Sequence, residues 1–180
     1  MRDMAHRTRQ HSVVALIGLS GAGKSTVGRA LAARLGWALR DTDALVEAAA
    51  GRRLAAIFAE EGEARFRALE ADALRAALDA APCVVATGGG IVLRPENRVL
   101  LRERALVVWL DAPTETLVAR LRAHDEERPL LAGDDPAARL EALRAARAGL
   151  YAGLADLTLA TAGIAAEAIC DAIVDRLGSG

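Results

Sequence analysis

Val13-Val14-Ala15-Leu16-Ile17-Gly18-Leu19-Ser20-Gly21-Ala22-Gly23-Lys24-Ser25-Thr26 changes character twice within one stretch. It begins as a continuous apolar run, too short for a helix, which reads as a strand buried on both faces. Gly18 to Ser25 then fits G-x-x-x-x-G-K-[ST] in full. The setting is the one that motif needs, with a strand before it and a helix after it. Glycines let successive backbone N–H groups turn inward and cradle phosphate oxygens, and the helix N-terminus adds its positive end. In such a loop Lys24 reaches the β- and γ-phosphates and the Ser25 hydroxyl ligates Mg²⁺. The helix runs from about Lys24 to Leu35, and Gly36 is placed to stop it.

Outward from that stretch, strands and helices alternate. Trp37 to Arg40 reads as a second short strand. Ala44 to Ala80 is helical, with breaks near Gly51 and Gly62. Cys83-Val84-Val85-Ala86 is a third strand running into Gly88-Gly89-Gly90, and Leu106-Val107-Val108-Trp109-Leu110 a fourth. Pro113 opens a helix to about Ala123. Leu157-Thr158-Leu159 is a weak fifth strand before a closing helix, about Ala165 to Leu177. The alternation predicts a three-layer α/β fold with a parallel sheet of five strands. Ligands in such folds sit at the carboxyl ends of the strands, so the turns at 18–25, 41–43 and 88–90 should converge there. His124 to Pro136 is acidic, carries two prolines and a glycine, and has little periodicity. A loop of that length in a compact domain is expected to be a mobile lid. The polar, basic stretch 1–12 is expected to be a disordered arm, and 13–180 a single domain.

Composition narrows the function. The 180 residues carry 53% apolar and 26% charged side chains, enough to bury a core without disulfides or a structural metal. A net charge of −1 gives no footprint for DNA, and 3% aromatics leave no stacking platform for single strands. No apolar run reaches the ~18 residues of a membrane span or forms a signal-peptide core. Cys83 and Cys170 read as buried small hydrophobes in a reducing compartment, so a cytoplasmic location is expected. Of the 23 basic residues, all but Lys24 are arginine. Where a generic positive charge was wanted the chain uses Arg, so Lys24 answers a need specific to a slim ammonium.

A phosphate loop alone does not name a reaction. With lysine only at position 24, the guanine-reading N-K-x-D of a GTPase is impossible. A motor ATPase wants a larger chain and an apolar strand ending in Asp. Leu106 to Asp111 has that look, but Asp111 is read as the cap of the Pro113 helix. A small kinase remains. Asp41 and Asp43, one residue apart, can face different partners: one the magnesium shell through water, the other a substrate hydroxyl. Arg67 and Glu70, three apart on a helix, can touch, and an acid that orients an arginine leaves its fork free for a carboxylate. Arg147, four before Tyr151 on a helix, offers a second clamp. Each of these alone also reads as an ordinary cap or surface ion pair.

Together, GLSGAGKST at 18–26, DTD at 41–43, F-x3-GE-x2-FR-x2-E from Phe58 to Glu70, TGGG at 87–90, RPLL at 128–131 and R-x3-Y at 147–151 resemble the shikimate kinase family, motif by motif in order. The resemblance implies a P-loop kinase fold and transfer of the γ-phosphoryl of ATP to the 3-hydroxyl of shikimate, in aromatic amino-acid (chorismate) biosynthesis. It implies that Gly21, Ala22, Gly23, Lys24, Ser25, Thr26, Arg120 and Arg128 bind ATP. Arg128 would act from the lid and Arg120 from the adenine side. One Mg²⁺ would sit on Ser25 and Asp41. Asp43 would hold substrate hydroxyls and act as base, with Lys24 and Arg128 as further catalytic groups. Arg67 and Arg147 would bind the shikimate carboxylate with Glu70 orienting Arg67, and Gly88, Gly89 and Gly90 would line the substrate. A monomer is expected, with no nucleic acid or membrane partner. Two rivals stand beside this reading: a kinase of the same fold for another small polyol acid, such as gluconate, and a silent nucleotide-binding module. The first should lack the Arg67/Arg147 pair, the second Lys24, Asp43 or a clamp.

Overall fold

The computed structural model describes residues 11–123 and 135–179. Among these residues five strands form one sheet: β1 (Val13–Ile17), β2 (Ala38–Asp41), β3 (Cys83–Ala86), β4 (Leu106–Asp111) and β5 (Leu157–Ala160). Their order is β2-β3-β1-β4-β5 and every pairing is parallel. Every residue of β1 and β3 is buried, which is why these strands read as unbroken apolar runs. The edge strands β2 and β5 alternate partly buried and exposed residues, which is why their signal is weak.

Among the described residues seven helices flank the sheet: α1 (Lys24–Leu35), α2 (Thr42–Ala50), α3 (Leu54–Asp79), α4 (Pro95–Arg104), α5 (Thr114–Ala123), α6 (Pro136–Leu154) and α7 (Ala166–Gly178). Among them α1 packs with α7, α3 with α4, and α5 with α6. The breaks read at Gly51 and Gly62 are both present. Gly51 ends α2 in the left-handed region, and Gly62 (φ 79°) kinks α3 without ending it. A 3₁₀ turn at Ile91–Leu93 and helix α4 follow the triple glycine. Ser12 belongs to the sheet region, since its carbonyl accepts the Cys83 N–H at 3.0 Å. Asp135 and Pro136, expected at the end of the lid, are the N-cap and first residue of α6, with the Asp135 carboxylate accepting the Ala138 N–H. Residues 1–10 of the expected arm and 124–134 of the expected lid, Arg128 included, lie outside the described residues.

Register brings the functional turns together. Ala86 pairs with both Leu16 of β1 and Asp41 of β2, and Asp111 pairs with Ala160 of β5. The carboxyl ends of all five strands therefore emerge along one edge, the position where open parallel sheets bind ligands.

Candidate active site

The loop after β1 turns at Gly18, Gly21 and Gly23, whose φ values of 139°, 83° and 96° side chains rarely adopt. Gly23 is also the N-cap of α1 and brings no capping side chain. The first-turn amides of α1 are thus left for an anion. Lys24 is 9% exposed, and its ammonium donates to the carbonyls of Gly18 at 2.9 Å and Leu19 at 2.8 Å. A point charge with several donors satisfies two converging carbonyls of its own loop, a task for which a wide planar fork is the wrong shape. Ser25 and Thr26 follow, both exposed toward the cleft they line.

Asp41 ends β2 and caps α2. Its Oδ1 accepts the N–H of Asp43 at 2.9 Å and of Ala44 at 3.3 Å. Its Oδ2 accepts the Ser25 hydroxyl at 3.3 Å. The helix cap, the plain alternative for Asp43, is therefore made by Asp41, which joins two loops at once. A hydroxyl and a carboxylate oxygen side by side are hard donors of the type Mg²⁺ takes, and an ion that keeps most of its waters needs few protein ligands. Among the described residues no group of three or more His, Cys, Asp and Glu forms a denser metal site.

Behind Asp43 the triple glycine is pinned from three sides. Thr42, fully buried, accepts the Gly88 N–H on its hydroxyl at 2.9 Å. The Thr87 hydroxyl donates to Leu16 O at 2.9 Å, and Gly89 O accepts from α6. A Cβ at Gly88 would stand 2.6 Å from Asp43 Oδ1 and 2.7 Å from Glu70 Oε1, so both carboxylates converge on this glycine. At Gly90 a Cβ would fall on the Arg67 guanidinium. A side chain at either position would have to displace these charged groups from the loop.

Arg67 and Glu70 form an ion pair at 2.8 Å, with side-chain exposures of only 14% and 1%. Burial pushes the Glu70 carboxyl up from its ordinary pKa, and the Arg67 charge and hydrogen bond pull against that rise. The surface-ion-pair reading of this motif is thereby excluded. Glu63 also reaches Arg67, and the guanidinium lies 5.1 Å over the Phe66 ring. Arg147 approaches from α6, its Nη1 donating to Gly89 O at 3.1 Å. Two arginines on separate helices thus flank Gly89 and Gly90, while Asp43 stands at Gly88.

Other residues of the edge differ from expectation. Asp111 does not cap a helix. Its Oδ2 accepts Arg144 Nη2 at 2.7 Å, and Arg144 also donates to Ala112 O at 2.9 Å. The first turn of α5 closes on the Pro113 carbonyl instead. Arg120 donates to Gly21 O at 3.2 Å, Thr161 Oγ1 at 2.9 Å and Thr161 O at 2.6 Å. It fastens the phosphate loop to the turn after β5, a turn without any basic residue. A cleft of about 1140 Å³ runs along this edge from Asp43 and Gly89, past the phosphate loop, to Arg120, Ile164 and Ile169. Its lining includes the charged Asp41, Asp43, Glu47, Arg53 and Arg120 and the apolar Leu121, Ile164 and Ile169.

The profile of the shikimate kinase family matches residues 20–178. The chain belongs to the shikimate kinase family. It is 48% identical to the shikimate kinase of Symbiobacterium thermophilum over 91% of this chain and 95% of that one. It is 47% identical to the shikimate kinase of Halorhodospira halophila over 97% of each. Its fold matches the structure of shikimate kinase from Acinetobacter baumannii in complex with shikimate, with a TM-score of 0.87, 36% identity and 93% of both chains covered.

Several residues of this shikimate kinase family member escaped the sequence reading. Thr42 was passed over between two aspartates, and Arg144 was one arginine among many. Tyr151 stands in the R-x3-Y motif without a role of its own, although it is the chain's only tyrosine, one helical turn after Arg147.

Proposed function

We propose that the enzyme transfers the γ-phosphoryl of ATP to the 3-hydroxyl of shikimate, giving shikimate 3-phosphate and ADP for aromatic amino-acid biosynthesis. One observation carries this reading within the family: a phosphate loop shares its strand edge with one aspartate and two arginines gathered at Gly88–Gly90. A ring bearing a carboxylate at one end and hydroxyls at the other matches that sequence of charges. Phosphoryl transfer demands positioning and charge stabilisation more than covalent help from the protein.

In this reading Gly21, Ala22, Gly23, Lys24, Ser25 and Thr26 hold the phosphates, and the part of the cleft lined by Arg120, Ile164 and Ile169 takes the base. Arg67 and Arg147 grip the carboxylate, with Glu70 keeping the Arg67 fork in plane. Asp43 accepts the proton as the hydroxyl oxygen bonds to the γ-phosphorus and the bond to the ADP oxygen breaks. Ser25 and Asp41 would hold Mg²⁺, which when bound neutralises charge on the β- and γ-phosphates. Arg128 and the rest of a lid would act from outside the described residues. The chain works as a cytoplasmic monomer in this reading. Two buried free thiols support a reducing compartment, and no described helix is long and apolar enough to cross a membrane.

A panel of small hydroxy acids, read by coupled ADP formation, tests the assignment. Shikimate should be turned over far faster than gluconate or quinate, with one ADP released per shikimate consumed. Preference for another acid, or ADP release without phosphorylated product, would overturn it.

The lysine makes its own prediction. Lys24→Arg keeps the charge but puts a fork where two loop carbonyls converge on an ammonium. Turnover should fall about a hundredfold, as when one preorganised donor to a transition state is lost. The melting temperature should move little. Near-normal kcat in that variant would show that any cation serves there.

A further inference from the structure

The Gly89 carbonyl accepts two hydrogen bonds, both from α6: the Tyr151 hydroxyl at 2.5 Å and Arg147 Nη1 at 3.1 Å. A carbonyl oxygen has two lone pairs, so its capacity is filled. The two donors are not alike. Arg147 is half-buried and beside the cleft, whereas Tyr151 is 1% exposed. The Tyr151 ring stacks on Trp109 with centroids 5.7 Å apart and planes 29° apart. Trp109 in turn sits in β4, paired with Ile17 of β1 and Thr158 of β5. Burial pushes the phenol up to about 12, so the hydroxyl stays a donor across any working pH.

Consider Arg147 when a carboxylate arrives. A carboxylate that takes the Nη1 donor of Arg147 draws it away from Gly89, and a half-buried carbonyl left without a partner opposes that movement. A second donor on the same oxygen removes the opposition. We propose that Tyr151 is a positioning residue for substrate binding, whose hydroxyl holds the Gly89 carbonyl so that Arg147 is released to the substrate carboxylate. Gly89 lies between the phosphate loop and α6: a Cβ built on it would stand 3.5 Å from Gly18 O and Ser20 N and 3.7 Å from Arg147 Nη1. This inference rests on the reading of Arg147 as a carboxylate clamp and names the group that makes the clamp available.

Tyr151→Phe keeps the ring against Trp109 and removes only the hydroxyl. Its KM for shikimate should rise roughly tenfold, the worth of one hydrogen bond of ordinary strength, while kcat and the KM for ATP stay within about twofold. KM does not depend on how much of the sample is folded, so modest destabilisation leaves the reading intact. The second arm repeats the substitution in an Arg147→Ala background. There the KM for shikimate, already high, should rise no further, because the hydroxyl acts through Arg147. An unchanged KM in Tyr151→Phe overturns the proposal. So does an equal rise with Arg147 absent, or an equal rise in the KM for ATP, since each describes a general prop for the loop. Wild-type enzyme without turnover of shikimate sinks the functional reading and this inference together, whereas active wild type with an unmoved variant sinks this inference alone.

Discussion

Asp43→Asn should lower kcat by roughly 10²- to 10⁴-fold, the range that a positioned general base contributes, with a much smaller change in the KM for shikimate. Asparagine has the same shape and still donates and accepts hydrogen bonds, so substrate hydroxyls keep a partner. What it cannot do is take a proton. Position matters as much as charge. Asp43 lies in the first turn of α2, its backbone N–H bonded to the Asp41 carboxylate, and its Oδ1 lies at Gly88. The aspartate is thus held by the same residue that meets Ser25. Losing a negative charge from a helix N-terminus costs about 0.3–1 kcal/mol of stability, too little to unfold the domain. Stopped-flow or steady-state kcat at saturating ATP and shikimate is the measurement. A loss of only a few-fold would mean that proton removal from the hydroxyl is not assisted here, as a loose transition state for phosphoryl transfer permits. Asp43 would then be a binding group.

How much of this edge was legible in the sequence depended on how local each feature is. The phosphate loop is written in consecutive residues, and its strand and helix flank it directly, so Val13–Leu35 could be read outright. Buried parallel strands are apolar runs, which located β3 and β4. Helix α4 escaped because Pro95–Arg104 is rich in charge and its apolar face is narrow, with only Asn97 and Leu101 buried. Its arginines bond to backbone carbonyls of other segments, Arg98 to Val92 and Leu93 and Arg102 to Gly153, which no spacing rule predicts. Strand order was likewise not written in any one segment, since β1 lies between β3 and β4 only through tertiary pairing.

Asp111 shows where a local rule misleads. A carboxylate two residues before a helix-opening proline looks like a cap, and a cap is the commoner use. Its real partner, Arg144, is far along the chain on α6, and the pair exists only because α6 packs beside the end of β4. Tyr151 and Thr42 belong to the same class. Each holds the triple-glycine loop through a single bond to a residue distant in sequence. Scarcity is a sequence signal that crosses such distances, as the ordered motifs do. In a chain with one lysine and one tyrosine, both bond to backbone carbonyls at the same strand edge.

The clamp supplies the other large effect. Arg67→Ala should cost roughly 2–5 kcal/mol of transition-state binding, about 30- to 5,000-fold in kcat/KM for shikimate, because a bidentate grip on a carboxylate is two charge-assisted hydrogen bonds. The KM for ATP should barely move, since the nucleotide is held at the phosphate loop. Stability complicates a bare comparison of rates. Glu70 is 1% exposed and paired to Arg67 at 2.8 Å, and removing one partner of a buried pair strands the other charge at a cost of about 3–5 kcal/mol. The preference between two substrates removes that ambiguity, because unfolded protein lowers both rates alike. Shikimate is therefore compared with its neutral carboxamide. Wild type should strongly prefer the acid, and Arg67→Ala should lose most of the preference. Arg67→Lys, which leaves Glu70 a charge but not a fork, should fall between them. If Arg67→Ala discriminates acid from amide as well as wild type does, the guanidinium serves only Glu70 and Glu63. The carboxylate would then belong to Arg147 alone.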